Sequence, residues 1–131
     1  HQKGVIHRDL KPTNVLVTEQ AGAPTPKVID FGIAKAVGGL APDALLTATG
    51  LVVGTPAYMS PEQAHGGGAD VDTRTDVFAL GVMLYELLTG SLPADPAQLG
   101  LPAFISRLVS ADTIPPAPSA RVVTEQAAIG S

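Results

Sequence analysis

Cysteine and tryptophan are both absent from the 131 residues. Without cysteine there can be no disulfide, no thiolate nucleophile and no cysteine-ligated zinc. Histidine is scarce, and His1, His7 and His65 are too scattered to suggest a metal cluster. Positive charge is also in short supply: eight Lys and Arg face twelve Asp and Glu, for a formal net charge of -4. That balance lacks the basic footprint that neutralises nucleic-acid phosphates or anionic lipid, so nucleic acid is not an expected partner. No apolar run reaches the ~18 residues of a membrane-spanning helix, and the first residues carry no basic-then-apolar export signal. A reducing, cytoplasmic setting fits these absences. A membrane anchor elsewhere in a longer protein is compatible with them.

What is present is apolar surface. The chain is 45% hydrophobic and only 15% charged, with a mean hydropathy of +0.27. That is too apolar for a disordered chain and more than one small domain of this length needs to bury. Part of the surface is therefore expected to meet a neighbour outside these residues, and poor solubility is expected with it. The first residue is His1 rather than Met, so the chain reads as a piece of something longer.

Two β-branched runs, Val15-Leu16-Val17 and Lys27-Val28-Ile29, flank a segment with Gly22, Pro24 and Pro26. They predict a short β-hairpin, which brings Asn14, before the first strand, near Asp30, after the second. Residues 33–61 are rich in Gly, Ala, Thr and Pro and predict a long loop. From Thr73 to Leu88 the apolar residues Val77, Phe78, Leu80, Val82, Met83, Leu84, Leu87 and Leu88 cover nearly all faces of a helix. Thr73 is the expected N-cap and Gly90 the stop, and such a helix belongs in a core. Residues 91–131 are Pro/Ala-rich, with a short helix expected over Ala103 to Val109 and no regular element at Pro115-Pro116-Ala117-Pro118.

The densest polar string is His7-Arg8-Asp9-Leu10-Lys11-Pro12-Thr13-Asn14, followed after the hairpin by Asp30-Phe31-Gly32. A lone Asp or Asn in a turn ordinarily caps backbone. Both motifs in this order, bridged by a hairpin, resemble the catalytic loop and metal-binding turn of eukaryotic-type (Hanks-type) serine/threonine protein kinases, in a bacterial-looking form. The resemblance implies an α+β, kinase-like large lobe, mainly helical with a short β-hairpin at the catalytic site and the small lobe absent. It makes residues 1–131 a partial kinase domain, with the catalytic loop at 7–14 and the metal-binding turn and activation segment at 30–62. A buried helix at about 73–88 and the Pro/Ala-rich remainder at 91–131 complete it. It implies transfer of the ATP γ-phosphate to Ser/Thr hydroxyls of protein substrates. Asp9 would be the base, Lys11 the cation beside it that also meets ATP, and Asn14 with Asp30 the Mg2+ and nucleotide ligands. The chemistry suits those types, since phosphoryl transfer needs positioning and charge neutralisation, and magnesium prefers a few hard oxygen ligands.

The likeness continues through Gly54-Thr55-Pro56-Ala57-Tyr58-Met59-Ser60-Pro61-Glu62, similar to the end of a kinase activation segment, with Ser60 where the family commonly has Ala. Asp76 and Gly81 fall at the family's spacing in the apolar helix, where Asp76 would accept hydrogen bonds from the catalytic-loop backbone. Lys11-Pro12 and the substrate-docking Thr55 resemble the Ser/Thr branch of the family. Arg8 beside Asp9 implies control by phosphorylation, with Thr47 and Thr49 as acceptors. Glu62 is a structural residue whose family partner is an arginine in a later helix, a role the Pro/Ala setting of Arg121 does not fit. A Gly-rich phosphate loop and a strand lysine with its glutamate precede the catalytic loop in the family. Gly66-Gly67-Gly68 and Ile33-Ala34-Lys35 have the wrong context to replace them. Two readings follow: part of an active kinase, the isolated chain being inactive, or a non-enzymatic remnant serving as an interaction module.

Overall fold

A computed structural model describes residues 6–30, 56–65, 72–110 and 115–122. The expected acceptors Thr47 and Thr49, the docking Thr55, and Phe31 and Gly32 lie outside the described residues.

The hairpin is longer than the β-branched runs suggest. Strand β1 spans Val15–Gln20 and β2 spans Ala23–Val28, antiparallel, with Val15 opposite Val28 and Gln20 opposite Ala23. The turn between them is Ala21-Gly22, both with positive φ (53° and 78°), the sign pattern of a type I′ turn, whose twist matches a two-stranded ribbon. Pro24 and Pro26 sit inside β2, against the expectation that they interrupt it. The Ile29 amide donates to the Asn14 carbonyl at 2.9 Å, which fixes the alternation of the ladder. Residues 24 and 26 are then non-hydrogen-bonded positions, where the missing N–H of proline removes no rung.

The long loop expected over 33–61 gives way at its end to a 3-10 turn, Pro56–Tyr58, and a short helix α1, Pro61–Ala64. Helix α2 runs Thr73–Thr89 and stops at Gly90, which takes the left-handed conformation (φ 72°) while its amide returns to the Glu86 carbonyl. Its N-cap is Asp72, not Thr73: the carboxylate accepts from the Arg74 amide at 2.7 Å, and Thr73 is already helical. Helices α3, Pro96–Leu99, and α4, Leu101–Val109, follow, with Pro102 tolerated in the first turn of α4 because its amide would be unpaired there anyway. Residues 118–122 add one helical turn that begins at Pro118, against the expectation of no regular element through that residue; proline is tolerated at a first helical position, where its missing amide would have no partner.

The described core is small and polar-rich. Leu10, Ala57, Ala64, Ala79, Val82, Tyr85 and Phe104 are its apolar members; His7, Asn14, Ser60, Thr75, Asp76 and Thr89 are buried with them. Helix α4 packs against α1, and its Phe104 is only 2% exposed. Helix α2 departs from the expectation of a fully buried element. Thr75, Asp76, Ala79, Val82, Tyr85 and Thr89 form its buried face, whereas Val77, Leu80, Leu84, Leu87 and Leu88 are exposed. These five recur at three- and four-residue intervals, so they form one stripe along the helix.

Candidate active site

The loop from His7 to Asn14 is held from below by the first turn of α2. Asp76, 2% exposed, accepts from the backbone amides of His7 at 2.8 Å (Oδ2) and Arg8 at 2.9 Å (Oδ1). A buried carboxylate is costly unless several donors meet it, and two consecutive amides aimed at its two oxygens supply them. Arg8 has φ 65°, which a non-glycine side chain rarely adopts, so surrounding bonds must impose it. One is Asp76; a second comes from α1, where Gln63 Nε2 donates to the Arg8 carbonyl at 2.8 Å.

His7 ties this loop to the hairpin. Its Nε2 lies 2.9 Å from the Ile29 carbonyl and its Nδ1 is 3.3 Å from the Asp9 amide. An amide can only donate and a carbonyl only accept, so Nδ1 is the acceptor and Nε2 carries the hydrogen. The ring thereby spans the residue before Asp30 and the backbone of Asp9.

Two polar side chains, those of Lys11 and Asn14, meet Asp9. Lys11 Nζ is 3.0 Å from Asp9 Oδ2, in a pair whose side chains are 20% and 23% exposed. Asn14, buried in the 3-10 turn Pro12–Asn14, donates its amide to the Asp9 carbonyl at 2.9 Å and, more weakly, to Asp9 Oδ2 at 3.4 Å. Spending the NH2 group this way leaves the Asn14 side-chain oxygen as the acceptor end. Asp30 lies just past the hairpin, exposed and with φ 54°, a left-handed conformation that Asp tolerates better than most residues. The bond from Ile29 to Asn14 brings the two ends of the ribbon together at Asn14 and Asp30. A small cavity of about 30 Å³ lies among Asp9, Lys11, Met59, Gln63 and Asp76, room for one or two waters.

A second group of bonds joins α1 to α2. Ser60, fully buried, caps α1 in a reciprocal box with Gln63: the Ser60 amide donates to Gln63 Oε1 at 3.1 Å, and the Gln63 amide reaches Ser60 Oγ at 3.4 Å. The Thr75 hydroxyl donates to Glu62 Oε1 at 2.6 Å and accepts from Ser60 Oγ at 3.4 Å. Glu62 therefore has a hydroxyl donor from the neighbouring residue of Asp76. Farther along α2, Tyr58 donates its phenol to Glu86 Oε2 at 2.6 Å. Burial, with the hydrogen bond to Glu86 and its negative charge, raises the Tyr58 pKa well above the ordinary phenol value.

Of the residues singled out from sequence, Arg8, Asp9, Lys11, Asn14 and Asp76 thus share one network, with Asp30 at the adjoining end of the ribbon. Glu62 stands apart from Asp9, bonded to Thr75. His7, Ser60, Gln63 and Thr75 were not singled out by role. Ser60-Pro61-Glu62-Gln63 carries a legible signal, a capping box with proline at the first helical position. Among the described residues no group of three or more His, Cys, Asp or Glu forms a metal cluster, and no helix is long and apolar enough to cross a membrane.

The chain is similar to known proteins. Residues 1–109 match the protein kinase domain family. The chain is 46% identical over 123 residues to serine/threonine-protein kinase Pkn1 of Myxococcus xanthus, covering 93% of this chain and 16% of that protein. It is 52% identical over 94 residues to pkn3 of the same organism, covering 71% and 17%. With serine/threonine-protein kinase PknB of Mycobacterium leprae it shares 48% over 93 residues, covering 71% and 14%. The chain thus spans about a sixth of the length of these relatives. By the family match and these identities, the chain belongs to the protein kinase domain family.

Proposed function

We propose that these residues are the phosphoryl-transfer portion of a protein serine/threonine kinase, the large-lobe part of a domain whose small lobe lies outside them. The observation that carries the reading is the convergence at Asp9: a carboxylate flanked by the Lys11 ammonium at 3.0 Å, on a loop whose amides are fixed by Asp76. Asp9 accepts the proton of a Ser or Thr hydroxyl as that oxygen bonds to the γ-phosphorus of ATP and the bond to ADP breaks. Lys11 offsets negative charge on the transferring group, and its contact with Asp9 keeps the ammonium and the base side by side.

The donor set fits a magnesium ion. Asn14 commits its NH2 to Asp9 and keeps its oxygen available, and Asp30 contributes an exposed carboxylate at the neighbouring end of the ribbon. Two hard oxygen ligands, with phosphates and water for the rest, match how magnesium is commonly held. When bound, magnesium supplies charge neutralisation to the nucleotide phosphates. Arg8 and the threonines Thr47 and Thr49 are the regulatory pair in this proposal, Thr55 the docking residue, Glu62 and Asp76 the structural ones. Protein substrates and a cytoplasmic location belong to the same proposal.

The test uses the complete polypeptide that contains these residues, labelled MgATP and a generic Ser/Thr protein substrate. Wild type should transfer label to serine and threonine, and Asp9→Asn should lower kcat by roughly 10²–10⁴-fold. No transfer by wild type, or equal transfer by both, would replace this reading with that of a non-enzymatic interaction module.

A further inference from the structure

We infer that Gln63 is a positioning residue for Asp9, joining the segment that ends in α1 to the catalytic loop; the inference rests on the kinase reading above. Its side-chain amide is used at both ends. Oε1 accepts from the Ser60 amide at 3.1 Å, and Nε2 donates to the Arg8 carbonyl at 2.8 Å, across 55 residues of sequence. The partners fix the amide's orientation, because a flipped amide would set a donor against an amide and an acceptor against a carbonyl.

The bond matters because of what it holds. Arg8 lies at φ 65° immediately before Asp9, and a residue there persists only where its surroundings over-determine it. Two side chains do so from opposite sides of the same residue: Asp76 takes the Arg8 amide and Gln63 takes the Arg8 carbonyl. That carbonyl is part of the peptide unit leading into Asp9. Rotation of this peptide would shift the Asp9 backbone and with it the bonds that Asn14 and His7 make there. Asp76 does not touch this peptide unit, which is held on its amide side by the long 3.3 Å bond to His7 Nδ1 and on its carbonyl side by the shorter 2.8 Å bond from Gln63.

The network is closed as well. Asp76 of α2 holds the loop, its neighbour Thr75 bonds Glu62 and Ser60, and Gln63 of α1 returns to the loop. A displacement of α1, whose N-terminal side continues from the segment carrying Thr55, therefore acts on the Arg8 carbonyl through a single side chain. Gln63 so couples placement of the substrate-docking segment to placement of the base.

Two substitutions separate this role from the capping role. Gln63→Glu keeps an oxygen for the Ser60 amide, since glutamate serves a capping box as well as glutamine, but has no donor for the Arg8 carbonyl at neutral pH. Gln63→Met loses both. In the complete polypeptide, Gln63→Glu should unfold within a few degrees of wild type yet show kcat lowered about tenfold or more, with KM for ATP within about twofold, because misplacement of the base acts on turnover. Gln63→Met should show the same fall in kcat plus a lower thermal midpoint. Amide hydrogen exchange on the same samples should be faster at Arg8 and Asp9 in both variants. Wild-type kcat in Gln63→Glu, or unchanged exchange at Arg8 and Asp9, overturns the inference. A wild type that transfers no phosphate would instead fail the kinase reading, and the exchange comparison would still decide whether Gln63 holds the loop.

Discussion

The two ends of helix α2 are built on opposite terms. In its first turn, Thr75 and Asp76 are polar and each 2% exposed; in its last turns, Leu84, Leu87 and Leu88 are apolar and 57%, 81% and 58% exposed. The polar end is buried because it has partners: two backbone amides for Asp76, and Glu62 with Ser60 for Thr75. The apolar stripe shows the reverse, hydrophobic surface that the described elements do not cover. In the first turn burial follows the supply of complementary groups rather than residue polarity, whereas farther along the buried Tyr85 hydroxyl finds no hydrogen-bond partner among the described residues; the site stands at the end where supply is complete.

The comparison can be broken hardest at Asp76. Asp76→Ala orphans two backbone amides in a buried place, and should cost about 3–5 kcal/mol of stability in a denaturant titration, with the proposed kinase activity lost alongside. Thr75→Val keeps the shape and removes one hydroxyl, leaving the Glu62 carboxylate short of a donor; about 1–3 kcal/mol is expected by the same measurement. At the opposite end, Leu87→Gln should move stability by no more than about 0.5 kcal/mol while reducing self-association in sedimentation, since it removes exposed apolar area and no packing. A destabilisation of several kcal/mol there would show that Leu87 is covered after all.

The smallest effect is expected at the N-cap. The Arg74 side chain and amide hold the Asp72 carboxyl below its ordinary pKa. A lowered folded-state value means that this stabilisation is in place above the unfolded carboxylate pKa of about 4 and is lost as pH falls through the folded value. Asp72→Asn, which keeps a capping oxygen but does not titrate, should flatten that part of the acid loss in thermal midpoint. Both partners face solvent, so added salt should shrink the difference further.

Much of this architecture is legible in the sequence, and the lapses have physical causes. The hairpin is announced by Val15-Leu16-Val17 and Lys27-Val28-Ile29, but its length is hidden because proline ordinarily interrupts a strand, and only the pairing alternation reveals that Pro24 and Pro26 occupy harmless positions. Helix α2 is announced by its apolar residues, yet their all-round distribution cannot say which are covered in this chain. Asp72 and Thr73 are both capping types, and one residue of register decides between them. The polar string from His7 to Asn14 shows which groups are available, whereas the bond from Gln63 to Arg8 joins positions 55 residues apart, and no local pattern carries it. The capping box at Ser60 does lie within local reach.

The prolines of β2 have one more consequence. Positions 24, 26 and 28 are those whose backbone N–H groups point away from β1, and two of the three have no N–H to offer. A third strand approaching that side would find a donor only at Val28, whereas β1 keeps outward amides at Val17 and Glu19, that of Val15 being taken by the Pro12 carbonyl. The ribbon is therefore one-sided as a template for strand addition: its β2 edge is chemically blunted against aggregation, although Pro24, Pro26 and Val28 are all exposed there.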